Sequence, residues 1–158
     1  MNDIYYDFYK PPFCFIKIFA NKEGVFLIKF VKGLGKSKKN EITELALREL
    51  DKYFNKKTKN LKFPISLILS HFKKEVYNFI KKIPYGKVVT YKDVSKAIGI
   101  KNGARAVGQA LKKNPLPIFF PCHRVIKSDG TLGGFSGGLV LKENLLKFEG
   151  FRLNELDE

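Results

Sequence analysis

The spacing of apolar positions changes period several times along the chain and marks out its elements. Residues 12–20 and 25–32 are dense in β-branched and aromatic side chains. Between them, Asn21-Lys22-Glu23-Gly24 is turn chemistry, so the two runs predict a β-hairpin. Phe13, Phe15, Ile16, Ile18 and Phe19 are expected to fill one buried sheet. Residues 33–40 (GLGKSKKN) read as a polar, flexible link. From 41 to 54 the period becomes helical, with Ile42, Leu45, Ala46, Leu50, Tyr53 and Phe54 on one side. A basic break at 56–62 and Phe63-Pro64-Ile65 then close a small α/β domain, expected over 1–69.

Helical spacing returns over 70–83, where Phe72, Val76, Phe79, Ile80 and Ile83 form a stripe stopped by Pro84-Tyr85-Gly86. After Val88-Val89-Thr90, a short helix is expected over 91–98 and another over 103–113, ended by Asn114-Pro115. Two short helices around a Gly-containing turn predict a helix-turn-helix. The second domain, 70–158, is therefore expected to be mainly α and winged-helix-like.

Composition narrows the class. A chain of 158 residues can close a core without staples, and 44% hydrophobic with 14% aromatic residues excludes a disordered polycation. No apolar run approaches the roughly 20 residues of a spanning helix. The first residues, MNDIYYDFYK, lack a basic region followed by an apolar stretch, so no secretory signal is expected. Two cysteines form no disulfide framework and point to a reducing, cytoplasmic setting.

The net charge is +15. Charge alone leaves two readings level, a phosphate-binding surface and a lysine-rich chain that is merely solvated. Its distribution is more telling: +7 over 1–69, +11 over 70–127 and −3 over 128–158. The basic middle contains the helix-turn-helix. On its second helix, Gly103, Ala104, Ala106, Gly108 and Ala110 are small and allow a close approach to another surface. Arg105, in the first turn, can stack and donate as a fork where lysine cannot. Lys73, Lys74, Lys81 and Lys82 read as a solvated face.

The chemistry concentrates in residues 115–125 (PLPIFFPCHRV), where three prolines stiffen the approach to Cys122-His123. A cysteine in an apolar segment is ordinarily inert core, but adjacent cationic groups favour a thiolate nucleophile. In an extended strand, Cys122 and His123 point to opposite faces, so contact needs a bent backbone or an intervening water. Cys14 and His71 show no ligand spacing to this pair, and no metal is expected. Cys14 is expected in the core of the first strand, and His71 at the surface or as a cap.

Residues 90–150 resemble the O6-alkylguanine-DNA alkyltransferases, or methylated-DNA–protein-cysteine methyltransferases. The resemblance is carried by Pro121-Cys122-His123-Arg124-Val125 and by Tyr85-Gly86-Lys87-Val88-Val89-Thr90-Tyr91. Arg105-Ala106-Val107-Gly108, Asn114-Pro115 with Pro117-Ile118, Phe135-Ser136-Gly137-Gly138-Leu139, and Lys142-Glu143 with Glu149-Gly150 extend it in the same order. The first 70 residues match only loosely. The resemblance implies a ribonuclease-H-like α/β domain followed by a helix-turn-helix domain, acting once and without a cofactor. Cys122 would accept the alkyl group, His123 would act as a base through a water, and Glu149 would orient it. Asn114 would hold the thiol, and Tyr91 would donate a proton to the departing guanine. Pro117, Val125, Phe135 and Ser136 would line the base pocket; Phe135 stands where some members have Tyr. Arg105 would fill the stack left by a flipped nucleotide, with Thr90, Ala104, Ala106 and Gly108 against a minor groove bound without regard to sequence. The partner implied is duplex DNA carrying O6-alkylguanine, bound by a monomer, with no membrane involved.

Three other functions fit parts of the pattern. A non-catalytic lesion sensor would lack the reactive cysteine. A helix-turn-helix regulator would carry longer polar side chains on its reading helix. A cysteine hydrolase leaves the basic domain unexplained.

Overall fold

A computed structural model describes residues 3–152, and the chain divides into two compact units, Met1–Ile68 and Leu69–Glu158. Three of the acidic residues counted in the −3 segment, Glu155, Asp157 and Glu158, lie outside the described residues.

In the first unit, β1 (Tyr5–Tyr9), β2 (Phe15–Ala20) and β3 (Val25–Val31) form an antiparallel sheet in that order. The expected hairpin is present, with Ile18 opposite Ile28. Strand β1 was not legible as a strand in the sequence. Side chains alternate across β2, so Ile16, Ile18 and Ala20 are buried while Phe15 and Phe19 sit half-exposed on the other face. The expectation that all five apolar residues fill one buried sheet holds for Ile16 and Ile18 only, because Phe13, Phe15 and Phe19 stay half-exposed. Lys17 lies on the outer face with its ammonium 4.6 Å from the Tyr6 ring and 4.7 Å from the Phe19 ring. Cys14 precedes β2 rather than standing within it, and is half-buried; burial pushes its thiol up to about 12.

Helix α1 (Glu41–Phe54) runs over the predicted residues. Asn40 accepts from the Thr43 backbone N–H, and Thr43 Oγ1 accepts from the Asn40 N–H, a reciprocal cap that fixes its start. Ala46, Leu50, Tyr53 and Phe54 bury its inner stripe. The 33–40 segment is no free linker, because Lys38 exchanges both backbone hydrogen bonds with Tyr6 on the sheet edge.

The second unit opens with α2 (His71–Ile80), three residues shorter than its apolar stripe suggests, because the chain turns at Lys81–Ile83. Ser70 caps it, and His71 is exposed and pairs with Glu75 at 3.0 Å. Thr90 and Asp93 form a reciprocal cap for α3 (Tyr91–Ala97), which a turn joins to α4 (Ala104–Lys112). This is the predicted helix-turn-helix. Inside the turn, Ser95 Oγ accepts from the Gly103 N–H. Strands β4 (Val89–Thr90) and β5 (Val125–Ile126) pair in parallel, and α5 (Leu139–Phe148) closes the unit. The sequence reading did not anticipate α5. Among the described residues no helix is long and apolar enough to cross a membrane.

Candidate active site

Cys122 owes its placement to a sharply bent backbone. Pro121, at φ −77° and ψ 65°, lets the Cys122 N–H donate to the Phe120 carbonyl at 2.7 Å, an inverse γ-turn. A single 3-10 turn, Cys122–Arg124, follows before β5. The site stretch is therefore not extended, and the bend removes the opposite-face geometry that a strand would impose. Upstream, Ile118 is held at φ 74° while almost fully buried. For a β-branched residue that conformation costs on the order of 1–3 kcal/mol, so surrounding contacts hold it.

Asn114 ties this loop together. Its Nδ2 donates to the Phe120 carbonyl and its Oδ1 accepts from the Leu116 N–H, both at 2.9 Å. From behind, Tyr77 stacks on Phe120 and donates to the Ala110 carbonyl at 2.7 Å. Lys81, which the sequence pattern places on a solvated face, is half-buried. Its ammonium lies 3.5 Å from the Phe119 ring centroid and donates to the Phe119 carbonyl. Short-range spacing cannot reveal that contact, because Phe119 is 38 residues away.

The Cys122 thiol is buried, and burial pushes it up to about 11; a hydrogen bond from Asn114 and the charge of Lys142 oppose the shift. The reading in which neighbouring cations leave a resting thiolate is corrected here: desolvation is the larger effect. Arg124 does not serve the sulfur. Its Nε and Nη2 donate to the two oxygens of Glu149 at 2.8 Å each, and its Nη1 donates to the Ile83 carbonyl at 2.7 Å.

His123 is completely buried and its Nε2 lies 2.9 Å from Glu149 Oε2. Burial opposes ionisation of Glu149, but His123 and Arg124 together hold its carboxyl well below the usual carboxylate range. The carboxylate can only accept, so we assign the imidazole proton to Nε2. Burial also lowers the His123 pKa, against the pull of Glu149, so the ring is neutral with a lone pair on Nδ1. Nδ1 is a buried nitrogen with no hydrogen-bond partner among the described residues. A neutral imidazole locked by a carboxylate, with its second nitrogen free, can accept a proton at Nδ1.

Behind Glu149, Gly86 adopts φ 80°, and a Cβ there would stand 2.9 Å from the Glu149 carbonyl oxygen. Only glycine meets both demands. Tyr91, at the start of α3, is half-buried; burial, then the neighbouring Cys122, raises its phenol and keeps it protonated. The Phe135 ring stands 6.5 Å from the His123 ring, edge to face. Pro117 and Val125 are buried, whereas Ser136 is exposed on the 127–138 segment. The Val125 carbonyl is engaged by Lys142 Nζ at 2.7 Å. On the outer surface, Arg105 and Ala106 are exposed, and Ala104 and Gly108 half-exposed. The Thr90 hydroxyl is occupied in capping α3.

Sequence reading missed two residues of this site as working parts, Arg124 and Lys142. Both are basic residues whose burial no local pattern announces; the signal that was available is that both fall inside the family's motifs.

A basic helix-turn-helix unit with a buried cysteine and a carboxylate-locked histidine defines a DNA-binding protein built for nucleophilic transfer at sulfur. Residues 71–151 match the family profile described as 6-O-methylguanine DNA methyltransferase, DNA binding domain, and residues 4–67 match its ribonuclease-like domain. A methylated-DNA–protein-cysteine methyltransferase of Saccharolobus islandicus is 38% identical over 95% of this chain and 98% of its own. One from Methanosarcina acetivorans is 37% identical over 93% and 99%. The crystal structure of Mycobacterium tuberculosis OGT in complex with DNA superposes with a TM-score of 0.82 at 26% identity, covering 97% of this chain and 99% of that one. The chain belongs to the methylated-DNA–protein-cysteine methyltransferase family.

Proposed function

We propose that this protein repairs DNA by moving the alkyl group of O6-alkylguanine onto Cys122, once per molecule. The observation that carries the reading is the buried chain Arg124–Glu149–His123, which ends on an Nδ1 with no hydrogen-bond partner among the described residues, on the residue next to a buried, protonated Cys122. A water between Nδ1 and Sγ relays the thiol proton to His123, and Glu149 stabilises the imidazolium that forms. The S–C bond forms as the C–O6 bond breaks, and the electron pair leaves with the guanine. Tyr91, held protonated, donates to the departing base and regains a proton from His123, so that in total the thiol proton leaves on guanine. Asn114 steadies the sulfur. The thioether has no low-energy way back, so the protein is consumed.

A base stacked in duplex DNA cannot reach a buried sulfur, so the nucleotide is flipped out. Arg105, exposed at the start of α4, enters the vacated stack, and the small residues Ala104, Ala106 and Gly108 admit the helix to a minor groove. Pro117, Val125, Phe135 and Ser136 line the base pocket. The lysine-rich surface binds phosphates without regard to sequence. The protein acts as a monomer, and a reducing cytoplasm keeps Cys122 as a free thiol.

With duplex containing O6-methylguanine in excess, lesion loss should stop at one equivalent per protein molecule. Continued turnover on the same molecules would contradict the reading.

A further inference from the structure

Lys142 is the least expected residue of the second unit. It sits in the first turns of α5 and is completely buried. Its ammonium donates to the Val125 carbonyl at 2.7 Å, to the Gly134 carbonyl at 3.3 Å, and to the Leu132 carbonyl. A lysine has three hydrogens to donate, and all three acceptors are backbone oxygens. Carbonyl dipoles solvate the charge without neutralising it. Between two of those acceptors stands Gly133, at φ 76°, so close to Tyr91 that a Cβ would lie 2.7 Å from the phenol oxygen. The same ammonium is 5.8 Å from the Tyr91 ring centroid.

Burying an unneutralised ammonium costs stability, and an apolar side chain of similar length would serve the core better. Such a charge beside a reactive centre is a mark of function when geometry points the same way. Here it does. The ammonium joins the strand that follows Cys122 to the segment pressed on Tyr91, and its charge favours the ionised sulfur.

We propose that Lys142 is a positioning residue for alkyl transfer: its ammonium fixes residues 132–134 against Tyr91 and supplies the positive charge against which Cys122 gives up its proton. The proposal rests on the alkyl-transfer reading above. Lys142 touches neither the alkyl group nor the guanine; it acts through Tyr91 and Cys122.

The titratable groups facing it are Cys122 and His123 on the 3-10 turn and Tyr91 on α3. Burial raises the Cys122 thiol to about 11 and raises the Tyr91 phenol, and it lowers His123. Lys142 itself is lowered by burial to about 8, so it is the group in this set that titrates just above neutrality. The reacting state keeps the thiol proton inside the site, on sulfur or on His123, and Lys142 charged. Its population therefore falls as Lys142 loses its proton.

The test is the single-turnover rate of methyl transfer from O6-methylguanine duplex as a function of pH, for the wild type, Lys142→Arg and Lys142→Met. Folding is checked by thermal melting and duplex affinity by anisotropy. The wild-type rate is expected to decline above about pH 8. Arg, charged throughout, should keep most of the neutral-pH rate and lose that decline. Met should slow transfer at least about tenfold near pH 7 with duplex affinity unchanged. A wild-type rate flat or rising through pH 9.5, an Arg variant with the same decline, or a folded Met variant within twofold of wild type each overturns the proposal (thresholds roughly set by the size of general acid–base effects). If neither variant folds, the wild-type profile decides. Absence of any protein adduct in the wild type would instead sink the alkyl-transfer reading.

Discussion

Replacing Glu149 with Gln is expected to slow alkyl transfer by roughly 10²- to 10⁴-fold and to destabilise the second unit by about 3–5 kcal/mol. The shape is kept, yet the hydrogen-bond count fails. Glu149 Oε1 accepts from Arg124 Nε, and Oε2 accepts from both Arg124 Nη2 and His123 Nε2. A glutamine amide must turn its NH2 toward one of these donor sets. Facing Arg124 Nε, it leaves two donors opposed in a buried site. Facing the other set, it forces the imidazole proton onto Nδ1, the nitrogen that accepts in the proposed transfer. Either way Arg124 remains buried without its counterion, which is the more costly part.

The acid dependence of stability gives a second readout. Glu149 ionises in the folded protein well below its ordinary 4.5, so its stabilising effect is complete above that value. It is lost as the pH falls toward the folded-state value. The wild-type advantage over Glu149→Gln should therefore shrink below about pH 4.5 and be constant above it. Equal stabilities at neutral pH, or transfer within a few-fold of wild type, would remove Glu149 from the account.

Arg105→Ala carries the second large effect and acts on another step. Arg105 is exposed in the first turn of α4, where it contributes little to the fold. Its proposed work is to replace the stacking of a flipped nucleotide, a cost of a few kcal/mol. Losing it should cut the transfer rate from duplex DNA by about 10²-fold, since 1.4 kcal/mol is a factor of ten. Reaction with a free O6-alkylguanine base needs no flipping and should stay within about twofold. Equal losses on both substrates would place Arg105 in the pocket chemistry instead of the stack.

Where local rules dominate, the sequence was enough. Helix α1 lies on the predicted residues because its apolar period and its Asn40–Thr43 cap agree. The helix-turn-helix was legible because a Gly-containing turn and Asn114-Pro115 punctuate two short helices; the structure adds the Thr90–Asp93 cap that fixes the start of α3. Strand β1 was hidden because its Tyr5-Tyr6-Asp7-Phe8-Tyr9 run puts polar-tipped aromatics on both faces and buries an aspartate between them. Helix α5 was hidden because its inner face includes Lys142, and a charged residue breaks the stripe by which helices are recognised.

The site divides in the same way. Cys122, His123, Asn114, Tyr91 and Glu149 were nameable because a resemblance carried them. Their protonation was not, since it depends on burial, and burial reversed the simple expectation for the sulfur. Arg124 and Lys142 look in sequence like any two of the chain's thirty basic residues. Only the fold shows that one neutralises a buried glutamate while the other is held by backbone carbonyls with its ammonium 5.8 Å from the Tyr91 ring centroid.

The most direct test is the intact mass of the protein after incubation with duplex DNA carrying one O6-methylguanine, followed by peptide mapping. The account predicts one methyl group per chain, located on Cys122, with no gain in Cys122→Ser under the same conditions. A methyl group on another residue, an adduct that persists in Cys122→Ser, or an unchanged mass while the lesion disappears would contradict it.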